Sequence, residues 1–283
     1  MSLLRLLRPK QWTKNVFVFS GLIFSQNILN PPLFAKTFQA FILFCMISSC
    51  VYIINDLVDI EKDKLHPTKK YRPLVSGDVN KRVAIIILSC LMLLSISGSF
   101  ALDFKFGLII LSYFIINTLY SIKLKHIVII DIMIISVGFV LRAISGAVVI
   151  NVEISPWLLI CTVFLSLFLA LSKRKNELIV LEDNAKNHRK ILGDYSIDLI
   201  EQMLPVVTSC AIISYALYTF TGARTNIMMI TIPFVIYGIF RYQYLTYKKG
   251  FGGRPESAFF CDKPFIINVL SWGISSILIL SYF

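Results

Sequence analysis

Nine long apolar stretches constrain what this chain can fold into more than any other feature of its sequence. A helix needs about 20 mostly apolar residues to cross a hydrocarbon core about 30 Å thick. Lipid offers the backbone no hydrogen-bond partners, and no alternating barrel pattern is visible, so each stretch is predicted to be helical. The nine stretches lie near residues 15–30, 36–56, 81–101, 105–121, 127–149, 156–172, 200–220, 225–243 and 264–282.

The composition agrees with a membrane protein and excludes several other classes. Of 283 residues, 57% are hydrophobic and only 16% are charged, which excludes a disordered chain. The 13 Gly, 10 Pro and six Cys are too few for collagen or a disulfide scaffold. No CxxC spacing or His cluster occurs, so free thiols and no zinc site are expected. Residues 1–283 are therefore predicted to form a single polytopic transmembrane domain.

Basic residues predict the orientation in the membrane. The amino-terminal segment and four alternating loops hold 24 of the 28 Lys and Arg residues. Cytoplasmic loops carry the excess of Lys and Arg, so this face is predicted to be cytoplasmic. The amino terminus is then inside and the carboxyl terminus, after nine crossings, outside.

An acidic motif follows the second apolar stretch. Asp56, Asp59 and Asp63 lie within about 60° of one another on a continuing helix, so three carboxylates share one face. A divalent cation would compensate their repulsion, and ligation by oxygen alone selects Mg²⁺, with Mn²⁺ as the alternative. Asn55 is a further candidate ligand. The competing interpretation is a solvated helix end whose carboxylates pair with Lys62, Lys64 or Lys69.

Two charged residues lie within the fifth stretch. Asp131 and Arg142 are eleven residues apart and share one helix face. Charges inside a span normally face a bundle interior or a water-filled cavity. We expect Asp131 to line the deeper wall of a substrate site and Arg142 to serve either structure or an acceptor phosphate. The alternative is that a neighbouring helix satisfies each of them for structural reasons alone.

The motif Asn55-Asp56-x-x-Asp59-x-x-x-Asp63, followed by Arg72-Pro73-Leu74-Val75-Ser76-Gly77, resembles the first aspartate-rich motif of UbiA-type membrane prenyltransferases. The run from Tyr120 to Lys125 also matches a family pattern. The resemblance implies an all-α fold of nine transmembrane helices bundled around a central cavity open to the cytoplasm. It also implies Mg²⁺-dependent binding of a diphosphate substrate in a bacterial cytoplasmic membrane.

Three further segments resemble the decaprenyl-phosphate phosphoribosyltransferase branch of this family. They are Leu7–Asn15, Gly138–Gly146 and Ser172–Leu178. Ordinary prenyltransferases carry a second acidic motif after the sixth span, whereas the loop here is mainly basic. Asp194 and Asp198 lack the rest of that motif, and we interpret them as a helix start.

The resemblance implies transfer of 5-phosphoribose from 5-phosphoribosyl 1-diphosphate to a polyprenyl phosphate. Additional phosphate groups favour Arg and Lys as ligands. The catalytic candidates are Asn55, Asp56, Asp59 and Asp63. The substrate-binding candidates are Lys14, Lys69, Arg72, Tyr120, Lys125, Asp131, Arg142, Lys173, Arg174, Glu177, Arg189 and Tyr195.

The expected partners are these two substrates and the bilayer, with a homo-oligomer as an option and no nucleic acid. Two alternatives remain open. A prenyltransferase would join a polyprenyl diphosphate to an aromatic or other small acceptor. Such an enzyme would be expected to carry the second acidic motif, which this sequence lacks. A flippase or transporter of phospholipid-like anions would be expected to show inverted repeats, and none is visible.

Overall fold

A computed structural model describes residues 2–64, 68–181, 190–223, 225–249 and 261–282, and the regular structure within these ranges is helical. The predicted all-helical class is confirmed. The α-helices are α1 (Ser2–Leu7), α2 (Ser20–Phe24), α3 (Pro31–Val58), α4 (Ile60–Lys64), α5 (Pro73–Ser76), α6 (Lys81–Leu102), α7 (Phe104–Ile122), α8 (Ile130–Val149), α9 (Pro156–Leu181), α10 (Ile197–Leu217), α11 (Ile232–Lys249) and α12 (Lys263–Tyr282).

Shorter helical segments connect several of these elements. A π-helical turn, Tyr218–Gly222, follows α10 directly. The 3₁₀-helices are Pro9–Phe19, Lys69–Tyr71, Leu124–His126, Lys190–Gly193 and Asn226–Thr231.

Seven described helices are long and apolar enough to cross a membrane, against nine stretches predicted from the sequence. They are Pro31–Val58, Lys81–Leu102, Phe104–Ile122, Ile130–Val149, Pro156–Ile179, Ile197–Gly222 and Lys263–Tyr282. The predicted span near 15–30 instead begins as the 3₁₀-helix Pro9–Phe19 and continues only through the short α2. The span near 225–243 corresponds to α11, whose carboxyl-terminal half contains Arg241, Gln243 and Lys248 and is therefore more polar. The count of nine crossings stays a prediction.

One compact unit contains Met1–Leu22, Asn27–Ile134 and Leu141–Glu153. Within it α3, α6 and α7 pack against one another. The side chains of Phe44, Ile47, Phe106 and Ile110 are fully buried in its core. The ring of Phe44 meets the edge of Tyr113 at a centroid distance of 4.8 Å. This unit carries the acidic motif.

The 3₁₀-helix Pro9–Phe19 explains how the amino-terminal segment packs within this unit. Side chains three residues apart eclipse in a 3₁₀-helix, so Trp12, Asn15 and Val18 form one stripe. Trp12 Nε1 donates to Ser49 Oγ at 3.0 Å. Asn15 Nδ2 donates to Ser48 Oγ at 3.1 Å. In an α-helix the same three side chains would spread over about 120°, so the contacts of Trp12 and Asn15 with α3 favour the 3₁₀ form.

The second unit contains Ile23–Gln26, Ile135–Val140 and Ile154–Phe283. Its largest interface lies between the consecutive helices α9 and α10. Tyr215 joins three elements, because its hydroxyl accepts from Trp272 Nε1 at 2.8 Å and hydrogen-bonds Thr231 Oγ1 at 2.6 Å. Asp262 accepts from the backbone N–H of Phe265 at 3.0 Å and so caps the start of α12.

All six cysteines lie within the described ranges and are free thiols, as predicted: Cys45, Cys50, Cys90, Cys161, Cys210 and Cys261.

Gly146 provides the first testable prediction, because a Cβ there would collide with the backbone carbonyl of Val18 in the same unit. Gly146→Ala should lower the melting temperature of the detergent-solubilised protein, since overpacking costs about 1–3 kcal/mol. Gly273→Ala is the matched control: a Cβ on that helical glycine meets nothing within 4 Å. It should leave the melting temperature unchanged or raised. Equal melting of the Gly146→Ala variant and the wild type would show that this close approach is absent.

Candidate active site

The acidic motif lies where α3 ends and α4 begins. The backbone N–H of Asp59 donates to the Asn55 carbonyl at 3.0 Å, and that of Asp63 donates to the Asp59 carbonyl at 2.8 Å. This helical bonding continues through the motif, so the three aspartates follow the register predicted for them. Glu61 points away and is exposed, and a hydrogen bond from Lys64 lowers the pKa of its carboxyl group.

Asp56 is the most deeply buried of the three aspartates, with its side chain 1% exposed. Its Oδ1 accepts from Arg8 Nη2 and from Arg72 Nη1, the latter at 3.0 Å. The same Arg72 nitrogen also donates to Asp63 Oδ2. Arg72 therefore bridges two carboxylates. Asp56 Oδ2, in contrast, is buried and has no hydrogen-bond partner.

Asp59 pairs with a different cation. Lys125 Nζ, in the 3₁₀-helix after α7, donates to Asp59 Oδ1 at 2.8 Å and to Asp59 Oδ2 at 2.7 Å. Lys125 itself is buried, so this ion pair is largely shielded from solvent. The three carboxylates are thus matched by Arg8, Arg72 and Lys125, whereas Lys64 of the solvated-helix alternative pairs with Glu61 instead.

Arg8 is a site residue that the sequence reasoning missed. Its guanidinium lies 5.1 Å from the centroid of the Tyr52 ring as well as against Asp56. Burial lowers the pKa of Arg8, and the charge of Asp56 opposes that effect. The backbone at Arg8 is left-handed, with φ 53° and ψ 60°, immediately before Pro9. The signal available in the sequence was the position of Arg8 inside the Leu7–Asn15 segment that resembles the phosphoribosyltransferase branch.

Arg142 lies in the carboxyl-terminal half of α8 and is buried in the first unit. Its Nε donates to Asn15 Oδ1 at 2.8 Å and its Nη2 to the Tyr113 hydroxyl at 2.7 Å. The guanidinium also stacks 5.5 Å from the centroid of Phe44. These contacts link the amino-terminal segment to α3, α7 and α8. Asp131 is fully buried in the first turn of α8.

Three other substrate-binding candidates of the first unit have partly exposed side chains. Lys14 is half-buried in the 3₁₀-helix Pro9–Phe19, Lys69 is half-buried just before Arg72, and Tyr120 is half-buried near the end of α7.

The remaining candidates belong to the second unit. Arg174 is 2% exposed, and its Nη1 donates to Glu177 Oε2 at 2.5 Å. Lys173 is half-buried beside it, and Tyr195 is buried. Arg189 lies outside the described residues.

A neighbouring cluster in this unit was not predicted. Lys175 Nζ donates to Glu201 Oε1 and to the Tyr247 hydroxyl, both at 2.6 Å. With Ser172 and Thr246 these residues line a cavity of about 100 Å³. Sequence reasoning grouped Lys175 with the loop cations, and the pairing depends on α9, α10 and α11 meeting.

The start of α10 supports the interpretation of Asp198 as part of a helix start, whereas Asp194 lies two residues before the helix cap, where its backbone N–H donates to the Ile191 carbonyl at 3.1 Å. Ser196 Oγ accepts from the Leu199 N–H at 3.1 Å and caps the helix, and Asp198 lies in its first turn. An acid there complements the helix dipole. In the part of the chain that the structure describes, no group of three or more His, Cys, Asp or Glu side chains is close enough to hold one metal ion. The acidic motif instead presents a charge-neutral set of three Asp residues with Arg8, Arg72 and Lys125.

Comparisons with known proteins place this geometry in a family context. Residues 15–269 match the model of the UbiA prenyltransferase family. The decaprenyl-phosphate phosphoribosyltransferase of Mycolicibacterium smegmatis is 32% identical over 290 residues, covering 95% of this chain and 89% of that protein. The protein of the same name from Corynebacterium glutamicum is 33% identical over 280 residues, covering 95% of this chain and 84% of that protein.

A solved structure agrees in fold. A UbiA homolog from Archaeoglobus fulgidus bound to GPP and Mg²⁺ has a TM-score of 0.75 at 21% identity, covering 98% of this chain and 100% of that chain. The predicted family is confirmed: with seven apolar helices of membrane-spanning length among its described residues, this chain is an integral membrane protein that belongs to the UbiA prenyltransferase family.

Proposed function

We propose that this chain is a Mg²⁺-dependent membrane phosphoribosyltransferase. It transfers 5-phosphoribose from 5-phosphoribosyl 1-diphosphate to a polyprenyl phosphate, giving polyprenyl-phosphoryl-5-phosphoribose and diphosphate. The observation that carries the proposal is the acidic helix end surrounded by Arg8, Arg72 and Lys125, in a chain similar over 95% of its length to proteins named for this reaction. Acids alone would suit a metal, whereas acids with this many bases suit a metal together with several phosphates.

The residues present fit a divalent cation. Asp56 Oδ2 is a buried carboxylate oxygen with no hydrogen-bond partner, which a hard cation would satisfy. Asp59 and Asp63 supply further oxygens within two helical turns, and Asn55 is a further candidate ligand. The Mg²⁺ bound in the Archaeoglobus homolog supports the same assignment. Mg²⁺, or Mn²⁺ in its place, would neutralise charge on the diphosphate leaving group.

The basic candidates would bind the remaining phosphates. Arg72 and Lys125 already lie at the carboxylates, so small movements of their side chains would reach a bound diphosphate. Arg174, which is buried beside Glu177, is proposed for the sugar donor. Lys14, Lys69, Tyr120, Asp131, Lys173, Arg189 and Tyr195 complete the proposed substrate-binding set. Arg142 is proposed as a structural residue, because Asn15 and Tyr113 accept its hydrogen bonds.

The reaction breaks the bond between ribose C1 and the diphosphate oxygen and forms one between C1 and an oxygen of the lipid phosphate. The attacking oxygen of the lipid phosphate is already ionised, so the reaction does not require a strong general base from the protein. Arg and Lys side chains stabilise the charge that develops on the departing diphosphate. Holding the two phosphorylated substrates in the reactive orientation can lower the reaction barrier by on the order of 7 to 11 kcal/mol.

Nine crossings in a bacterial cytoplasmic membrane, with the amino terminus inside and the carboxyl terminus outside, remain part of the proposal. The 11-residue 3₁₀-helix and five-residue α2 would together extend about 30 Å, at about 2.0 and 1.5 Å per residue. The 18-residue α11, preceded by a 3₁₀-helix, is also long enough. Length therefore supports two crossings beyond the seven apolar helices.

Label transfer tests the proposed reaction. Purified protein incubated with ribose-labelled 5-phosphoribosyl 1-diphosphate and a polyprenyl phosphate should move label into the organic phase with Mg²⁺ and not with EDTA. Folded protein that transfers no label to acceptors of several chain lengths would overturn the proposal. Product formation from a polyprenyl diphosphate and an aromatic acceptor would then favour the prenyltransferase alternative.

Single carboxylates test the metal assignment. Asp56→Asn and Asp59→Asn should each lower the rate of transfer by at least about a hundredfold, because a bound metal contributes several kcal/mol of charge stabilisation. Glu61→Gln is the matched control, since Glu61 is exposed on the same helix end and hydrogen-bonds Lys64. Its rate should equal that of the wild type. Wild-type activity in either folded aspartate variant would contradict the assignment.

Arg174 tests donor binding. Arg174→Ala should raise the KM for 5-phosphoribosyl 1-diphosphate about tenfold or more, since a charged hydrogen bond contributes about 1.5–3 kcal/mol. The KM for the lipid should change much less. Lys248→Ala, a change of an exposed lysine in the same unit, is the control. An unchanged KM for the donor would contradict donor binding by Arg174 and would indicate that this residue only pairs with Glu177.

A further inference from the structure

We propose that Arg8 is an exchangeable counter-ion: it neutralises Asp56 while the site holds no metal, and a divalent cation must displace it in order to bind. This inference rests on the proposed metal site and adds a residue that the family resemblance did not assign. Arg8 thereby acts as a positioning residue that sets the metal affinity and holds a guanidinium ready for the donor's phosphates.

The contacts of Arg8 support this role. Its Nη2 donates to Asp56 Oδ1, which also accepts from Arg72. Asp56 is 1% exposed, so its charge requires a partner in every state of the site. The side chain of Arg8 is 21% exposed, as is that of Arg72, so its guanidinium has solvent beside it. A side chain in that position can move outward without any rearrangement of α3.

The charge balance explains why displacement is needed. Asp56, Asp59 and Asp63 are matched by Arg8, Arg72 and Lys125, so this set has no net charge. The three positive charges offset the attraction that the three carboxylates would exert on a divalent cation. The carboxylate oxygens become available as ligands only when the basic side chains withdraw. Diphosphate, which is strongly negative, is the natural new partner for the released cations.

The backbone keeps Arg8 close after its release. Its left-handed conformation before Pro9 leaves little freedom on the carboxyl-terminal side. The next anchor is Trp12, whose Nε1 donates to Ser49 at 3.0 Å on α3. The Tyr52 ring already lies 5.1 Å from the guanidinium, and this cation–π contact can persist when the bond to Asp56 is lost. Arg8 would therefore exchange its partner and stay beside the acidic motif.

Mn²⁺ titration followed by electron paramagnetic resonance tests the inference on the full-length protein without the sugar donor. Arg8→Gln should bind Mn²⁺ about tenfold more tightly than the wild type, because one competing positive charge is gone. Arg8→Lys keeps the charge and should bind Mn²⁺ about as the wild type does. Arg5→Gln is the matched control, since Arg5 is exposed one turn earlier in the chain, and it should not change the affinity.

Melting temperatures separate this role from a purely structural one. Arg8→Gln should melt below the wild type in EDTA, where Asp56 loses one of its two cations, and saturating Mn²⁺ should remove most of the difference. Inorganic diphosphate, added as a probe with Mn²⁺, should bind the variant about tenfold more weakly, because one charged hydrogen bond is lost.

Two outcomes would overturn the inference. Equal or weaker Mn²⁺ binding by Arg8→Gln would show that Arg8 does not compete with the metal. A melting difference that is the same in EDTA and in Mn²⁺ would assign Arg8 to structure alone. Neither result contradicts the proposed transfer reaction. Failure of the proposed function would appear separately, as an absence of label transfer by the wild type. A wild type that transfers label but binds no Mn²⁺, with or without diphosphate, would overturn both the metal assignment and this inference.

Discussion

The burial of carboxylate charge at the end of α3 is the constraint on which the site depends. A carboxylate as deeply buried as Asp56 costs several kcal/mol unless cations and hydrogen bonds compensate it. Arg8, Arg72 and Lys125 supply that compensation from three separate parts of the chain. Satisfying the aspartates therefore also positions the amino-terminal segment, the turn before α5 and the 3₁₀-helix after α7. The resulting cluster of acids and bases is the arrangement on which the proposed metal and phosphate site rests.

Each compact unit contains a buried basic side chain that joins helices through polar contacts. In the first, Arg142 is held by Asn15 and Tyr113, so a charge within an apolar helix becomes part of the packing. In the second, Lys175 contacts Glu201 and Tyr247 and ties α9 to α10 and α11. Hydrogen bonds of a buried basic side chain give directional contacts that apolar side chains alone do not supply. They fix the helix positions that a functional site needs.

The sequence predicted well wherever the physics is local. Seven of the nine predicted spans match apolar helices, because length and hydrophobicity determine a transmembrane helix. The common face of Asp56, Asp59 and Asp63 followed from helical periodicity alone. The family followed from the resemblance of these aspartates and the Arg72–Gly77 run to a known motif, and its branch from segments such as Leu7–Asn15. The first span was less predictable, because the stripe of Trp12, Asn15 and Val18 has the 3₁₀ period and depends on contacts with distant helices.

The sequence by itself determined the class of this protein, its apolar helices, the register of its acidic motif and its family. Each of these depends on neighbouring residues or on patterns carried along one segment. Only the tertiary structure decided which cations serve which carboxylates, and it selected Arg8 while leaving Lys62 and Lys64 outside the cluster. Ion pairing between residues 48 or 66 positions apart depends on how helices pack. Local sequence does not determine which distant cation approaches a given carboxylate. That pairing is decided by the free-energy cost of burying a carboxylate without a cation beside it.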